Sequence, residues 1–187
     1  MTLTLSRESF PLREVFTISR GSKTEAQVLT VTVTREGIAG RGECVPYARY
    51  GESLDSVEAA IAALPEDVGR EALQTLLPAG AARNAVDCAL WDREAKRAGV
   101  PVWQLAGVPA PRPLVTCYTL SLDTADRMRA AAARAADRPI LKIKLGGEDD
   151  MARLEAVRAG APKARIVVDA NEGWTAEVYA ALAPHLR

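Results

Sequence analysis

Ile140-Leu141-Lys142-Ile143-Lys144-Leu145 is the stretch on which the reading of this chain turns. Leu141, Ile143 and Leu145 alternate with Lys142 and Lys144. Residues two apart share a strand face, so both ammonium groups point one way and the three apolar side chains point the other. If the apolar face meets helices, the lysines lie on the opposite side of the sheet, which in a closed barrel is the interior. A solvated edge strand protected by lysines has the same alternation, so the flanking segments must decide.

Those segments follow a regular rhythm. Leu114–Leu120 reads as a strand, and Asp123 or Thr124 starts a helix that runs to about Ala136. The lysine strand follows, then a helix over Glu148–Ala159, a strand over Arg165–Asp169 and a helix over Thr175–Leu186. Strands alternating with helices through short loops predict a parallel sheet under helices. Three such units make either a small open sheet or the first part of an eight-stranded barrel. Asp169 ends its strand, with Asn171, Gly173 and Trp174 just beyond. The C-terminal end of a parallel strand is where α/β barrels present ligands for a metal or a substrate; a helix cap or loop turn is the plainer role for the same Asp. Taken together, two lysines on one strand and an aspartate at the end of the next meet at one mouth. Like charges held close disfavour the doubly charged state, which is how a lysine becomes a general base. A base beside a cation-binding carboxylate suits removal of a proton next to a carboxylate, a weakly acidic proton whose loss needs charge stabilisation.

Upstream, Val108-Pro109-Ala110-Pro111-Arg112-Pro113 forms a stiff connector and the expected domain boundary. Before it, Ala26–Thr34, an Arg35-Glu36-Gly37 turn and Ile38–Cys44 read as a hairpin, with an earlier strand at Thr2–Arg7 or Val15–Ser19. Gly37, Gly40 and Gly42 read as turn chemistry of that hairpin rather than a phosphate loop. Glu43–Tyr50 reads as a loop, either a lid or a packed connector. Ser53 caps a helix with Leu54, Val57, Ala60, Ile61 and Leu64 at helical spacing, stopped by Pro65. Further helices are expected over Arg70–Leu77 and Ala81–Ala98, the latter ended by Gly99 and Pro101. This half is α+β.

Composition narrows the chemistry. The 187 residues carry 24 Lys plus Arg and 24 Asp plus Glu, so no charge excess points to nucleic acid or a membrane surface. No apolar run approaches the ~18 residues of a membrane span. The N-terminus lacks the pattern of a signal peptide. Cys44, Cys88 and Cys117 form no C-x-x-C pair and suit a reduced, cytoplasmic protein. His185 is the one histidine, which excludes Ser-His-Asp and Cys-His catalysis and any multi-histidine metal site. A metal would need carboxylate oxygens, favouring magnesium or manganese over zinc.

Three stretches resemble the enolase superfamily, muconate-lactonising subgroup, in both order and spacing. Arg83-Asn84-Ala85-Val86-Asp87-Cys88-Ala89-Leu90-Trp91-Asp92, followed by Gly99-x-Pro101, is similar to the last helix of the superfamily's capping domain. Lys142-Ile143-Lys144 resembles its Lys-x-Lys, and Val168-Asp169-Ala170-Asn171-Glu172-Gly173-Trp174 its third-strand metal motif. The resemblance covers nearly the whole chain. It implies an α+β capping domain over residues 1–108, then the first βα units of a TIM-like (β/α)7β barrel, incomplete here, over 109–187. It implies Lys144 as an acid/base lysine, Lys142 as the residue that tunes it and holds the substrate carboxylate, Asp169 as a Mg2+ ligand and Asn171 as its neighbour.

Tyr118-Thr119-Leu120-Ser121-Leu122-Asp123 is similar to the first-strand motif of dipeptide epimerases of the L-Ala-D/L-Glu type, where the threonine contacts substrate; Thr119 takes that place. Arg20-Gly21-Ser22-Lys23-Thr24-Glu25 resembles their first capping loop, so Arg20 and Lys23, with Tyr47, are expected to shape specificity. The implied reaction is proton transfer at the α-carbon of a dipeptide through a metal-stabilised enediolate. The resemblance also admits o-succinylbenzoate synthase and cycloisomerase activities, which use the same lysines. A non-catalytic fragment or interaction module is the alternative from another class. The superfamily's remaining metal carboxylates and second lysine lie on strands this chain does not reach, so the expectation is an N-terminal portion, inactive alone. A small-molecule partner is expected, with no nucleic acid or membrane, and self-association as a homo-oligomer is compatible with the reading.

Overall fold

The computed structural model describes residues 2–186. The chain divides into two units: Met1–Pro11 with Glu25–Arg112, and Leu12–Thr24 with Pro113–Arg187. Strands β1 (Thr2–Ile18), β2 (Gly21–Arg35) and β3 (Ile38–Cys44) form one sheet in that order. The two stretches expected as alternative early strands thus fall on a single long strand, apart from Ser19, which lies in the turn after it. The expected loop over Arg20–Glu25 contracts to a turn at Ser19-Arg20, with Gly21 onward already in β2. Ladder pairing with a neighbour extends a strand through residues whose own propensity is indifferent. Pro11 is accommodated because β1 is an edge strand.

In the first unit, β2 and β3 pair antiparallel, with Leu29 opposite Cys44, Val31 opposite Gly42 and Val33 opposite Gly40. The three β2 side chains are fully buried. Helices α1 (Leu54–Ala62), α2 (Arg70–Leu76) and α3 (Ala81–Ala98) cover this face. Ser53 caps α1 reciprocally with Ser56, each backbone N–H donating to the other's hydroxyl, at 2.9 and 3.1 Å. The glycine reading needs correction here. Gly37 makes the hairpin turn, but Gly40 and Gly42 serve packing. A Cβ at Gly42 would lie 2.0 Å from the Ala85 carbonyl oxygen, and one at Gly40 would lie 2.1 Å from that of Ala89. The backbone of α3 rests directly on β3, and Ala85 and Ala89 are its small contact residues. Helix α4 (Val102–Leu105) was not expected; Pro101 stops a helix before it but suits the start of one after it.

In the second unit, β4 (Tyr118–Leu120), β5 (Ile140–Lys144) and β6 (Arg165–Asp169) are parallel, in the order β4-β5-β6. Helices α5 (Ala125–Arg134) and α6 (Asp150–Gly160) pack on one face over Leu141, Ile143 and Leu145, all fully buried with Met128, Ala132 and Val157. β4 is shorter than read, because Leu114 and Val115 stay exposed among the prolines. Helix α7 (Ala176–Leu182) yields to a 3-10 turn over Ala183–His185, where Pro184 lacks the N–H an α-helix requires. No helix among the described residues is long and apolar enough to cross a membrane.

Candidate functional site

The register of β4, β5 and β6 places Thr119 beside Lys142, Lys142 beside Val167, and Lys144 beside Asp169. Since Leu141, Ile143 and Leu145 face the helices, these residues face the other side of the sheet, as the alternation requires. Lys144 is 7% exposed although charged. Its Nζ donates to Asp169 Oδ2 and to Asn171 Oδ1, both at 2.8 Å. Lys142 Nζ also lies 2.8 Å from Asp169 Oδ2. The backbone N–H of Asn171 donates to Asp169 Oδ1 at 2.9 Å. Both ammonium groups therefore converge on one carboxylate, and their mutual repulsion is offset by the anion between them.

The loop after β6 is bent to make this possible. Asn171 and Glu172 take φ of 47° and 67°, a left-handed conformation that costs a non-glycine residue ~1–2 kcal/mol and persists where its surroundings over-determine it. Here the surroundings do so. Ser19 Oγ and Arg20 Nη1 both donate to the Asn171 carbonyl, at 2.9 and 2.8 Å, and Arg20 also faces Glu172 at 3.6 Å. The Ser19–Arg20 turn is itself held near β4, where the Thr17 N–H donates to Ser121 Oγ and the Leu122 N–H to the Thr17 carbonyl.

Residues 1–107 match the mandelate racemase / muconate lactonizing enzyme N-terminal domain. The chain belongs to the mandelate racemase / muconate lactonizing enzyme family. It is 44% identical to the L-Ala-D/L-Glu epimerase of Escherichia coli K12, over 96% of this chain and 58% of that one. Among solved structures, an enolase family member from Agrobacterium tumefaciens with homology to dipeptide epimerases, with bound sodium and L-Ala-L-Glu, is similar at TM-score 0.92 and 52% identity, over 98% of this chain and 59% of that one. A Cytophaga hutchinsonii dipeptide epimerase complexed with Mg and D-Ala-L-Val is similar at TM-score 0.86 and 29% identity, over 98% of this chain and 56% of that one. The chain thus spans a little over half the length of these relatives. Within the family's architecture, its first part is the N-terminal capping domain, and the parallel strands β4–β6 begin the barrel.

Of the residues the family resemblance nominates, Lys142, Lys144, Asp169 and Asn171 meet directly, Thr119 adjoins them by register, and Arg20 holds the Asn171 backbone. Lys23 lies exposed on β2. Tyr47 belongs to the first unit, its ring 5.8 Å from that of Tyr50. Asp169 is a hard oxygen donor of the type magnesium takes. A lone carboxylate held by two ammonium groups is not a complete cation site, however, and among the described residues no three His, Cys, Asp or Glu gather into one. Two residues here escaped the sequence reading. Ser19 carries no sequence signal, and Asp150, treated below, reads in sequence as an ordinary first-turn acid.

The Lys142 ammonium and then that of Lys144 hold the Asp169 carboxyl well below the usual carboxylate range against a smaller opposing effect of burial, and the Asn171 N–H adds to the lowering. A carboxyl lowered on folding adds stability that is present above its unfolded value and is lost as pH falls through it toward the folded value. In metal-free buffer, the stability difference between the wild-type chain and Asp169→Asn should therefore be constant near neutrality and shrink as pH falls below about 4. Urea midpoints measured against pH check this; a difference that holds its size down to about pH 2 would rule it out.

Proposed function

We propose that this chain is the N-terminal portion of a magnesium-dependent dipeptide epimerase of the L-Ala-D/L-Glu type, with residues 1–108 as capping domain and 109–187 as the first part of the barrel. The observation that carries this reading is the Lys144 ammonium held at 2.8 Å by both Asp169 and Asn171 on the face of the parallel sheet opposite α5 and α6. In this reading Lys144 moves the proton at the α-carbon, since two fixed acceptors aim its Nζ at one point above the sheet. Lys142, half-buried and one step down the strand, balances the substrate carboxylate. Asp169 offers its carboxylate to the cation and Asn171 stays beside it. Thr119, level with Lys142, contacts the dipeptide, and Arg20, Lys23 and Tyr47 set which side chain is accepted. Bound magnesium supplies charge stabilisation to a carboxylate whose neighbouring proton is being removed. Free thiols at Cys44, Cys88 and Cys117 suit a reducing, cytoplasmic compartment.

The test is isotope exchange. A protein carrying this chain together with the remaining barrel strands, incubated with L-Ala-L-Glu in heavy water, should replace the α-proton of the Glu residue with deuterium. Exchange confined to substrates of o-succinylbenzoate synthase or of cycloisomerases, with every dipeptide inert, would replace this reading with another of the same family.

One observation favours a second reading for residues 1–187 by themselves. With Asp169 already paired to two lysines and no cluster of three candidate metal ligands among the described residues, the isolated chain suits a non-catalytic module. Magnesium titration calorimetry on it should give no measurable heat of binding; tight binding would refute the second reading.

A further inference from the structure

One buried charge near the rim has no part in the chemistry above. Asp150 opens α6 and is 3% exposed. Its Oδ2 accepts hydrogen bonds from the Gly146 N–H at 2.8 Å, the Gly147 N–H at 3.1 Å and the Trp174 indole N–H at 2.7 Å. Its Oδ1 accepts from Arg153 Nη1 at 3.0 Å. Arg153 continues the network, donating through Nε to the Asp123 carbonyl at 2.8 Å and through Nη1 to that of Glu148. One carboxylate–guanidinium pair thus gathers the loops that follow β4, β5 and β6. A helix-terminus role would account for donors close to Asp150 in sequence, but not for Trp174, which lies 24 residues away on the next loop.

A second observation is independent of Asp150's bonds. The loops after β5 and β6 touch backbone to backbone. Gly146 has φ of 135°, and a Cβ there would meet the Ala170 carbonyl oxygen at 2.8 Å and Ser19 Cβ at 2.7 Å; a Cβ at Gly173 would meet Gly146 Cα at 2.7 Å. Gly146 is two residues beyond Lys144, and Gly173 four beyond Asp169. The Leu145 N–H also donates to the Asp169 carbonyl at 3.3 Å. A displacement of either loop would carry Lys144 Nζ away from Asp169 and Asn171. A buried carboxylate with every bond satisfied holds such a contact in a single geometry.

We propose that Asp150 is a positioning residue, whose buried carboxylate fixes Lys144 against Asp169 and Asn171 by tying the loop after β5 to the loop after β6. The proposal rests on the rim as the working site, but its test reads geometry rather than turnover. Lysines of the 187-residue chain are acylated with an amine-reactive ester well below the unfolding temperature, and each is quantified by mass spectrometry. Asp150→Asn keeps the size and removes the charge. Losing a hydrogen-bonded charge from the network should raise modification of Lys144 by about tenfold, with Lys96 of the first unit unchanged. Asp150→Glu restores the carboxylate and should bring Lys144 back to within about threefold of wild type. If Asp150→Asn does not fold, Trp174→Phe removes one donor without disturbing the charge, and it should expose Lys144 several-fold while leaving Lys96 unchanged. Unchanged Lys144 modification in a folded variant overturns the proposal, as does an equal rise at Lys96 and Lys144, which would mark loosening of the whole chain. If the selective rise appears while wild-type protein with a complete barrel exchanges no α-proton, the positioning role stands and the functional reading fails.

Discussion

Replacing Lys144 with alanine, in a protein that joins this chain to the remaining barrel strands, is expected to lower α-proton exchange on a dipeptide by ~10²–10⁴-fold, the usual contribution of a positioned acid or base. The expectation rests on geometry. Lys144 is the more buried of the two rim lysines, and two oxygen acceptors on separate residues orient its Nζ. A solvated lysine would sample many positions and lose that advantage. The fold should survive, because Asp169 keeps Lys142 at 2.8 Å and the Asn171 N–H at 2.9 Å. The loss is read as the slowed disappearance of the α-proton signal in heavy water, beside a circular dichroism spectrum that matches wild type. A rate within about threefold of wild type, set against that expected range, would remove Lys144 from the proton-transfer role.

The second large effect is on stability and is counterintuitive for its size. Glycine inside a strand ordinarily costs about 0.5–1 kcal/mol relative to alanine, so Gly42→Ala on general grounds should stabilise β3. Here the added methyl would sit 2.0 Å from the Ala85 carbonyl oxygen and 2.8 Å from the Ala89 N–H nitrogen, both backbone atoms in the interior of an 18-residue helix. No side chain can rotate out of the way, so α3 must lift off the sheet and open its contact with Val31 and Val33. Overpacking costs about 1–3 kcal/mol, occasionally more, and here, against immovable backbone, it outweighs the propensity gain. Gly42→Ala should therefore unfold at a clearly lower urea concentration than wild type. A midpoint at or above wild type would mean that α3 does not bear on β3 in this way.

How much of this could be read in advance depended on the range of the interaction concerned. Arg165–Asp169 and Ala81–Ala98 were placed with the bounds they have in the structure, because strand alternation and helix stop signals are written within a few residues. The face of Lys142 and Lys144 was legible for the same reason. The turn at Ser19-Arg20 was not, since β1 and β2 are extended by pairing between residues far apart. Gly40 and Gly42 were misread because a glycine that admits a helix and one that makes a turn look alike until the helix is in place. The bond from Arg20 to the Asn171 carbonyl spans 151 residues and has no local signal in the sequence.

The amino-acid order alone settled which side of β5 is charged and which strand ends in a carboxylate, because strand geometry repeats every two residues regardless of what lies around it. The folded structure alone decided that both ammonium groups share Asp169, that Asp150 is buried between the loops after β5 and β6, and that α3 lies on two glycines. Each of those outcomes depends on the register between strands and the meeting of loops, and these are fixed only when distant segments compete for the same space and the same hydrogen-bond partners.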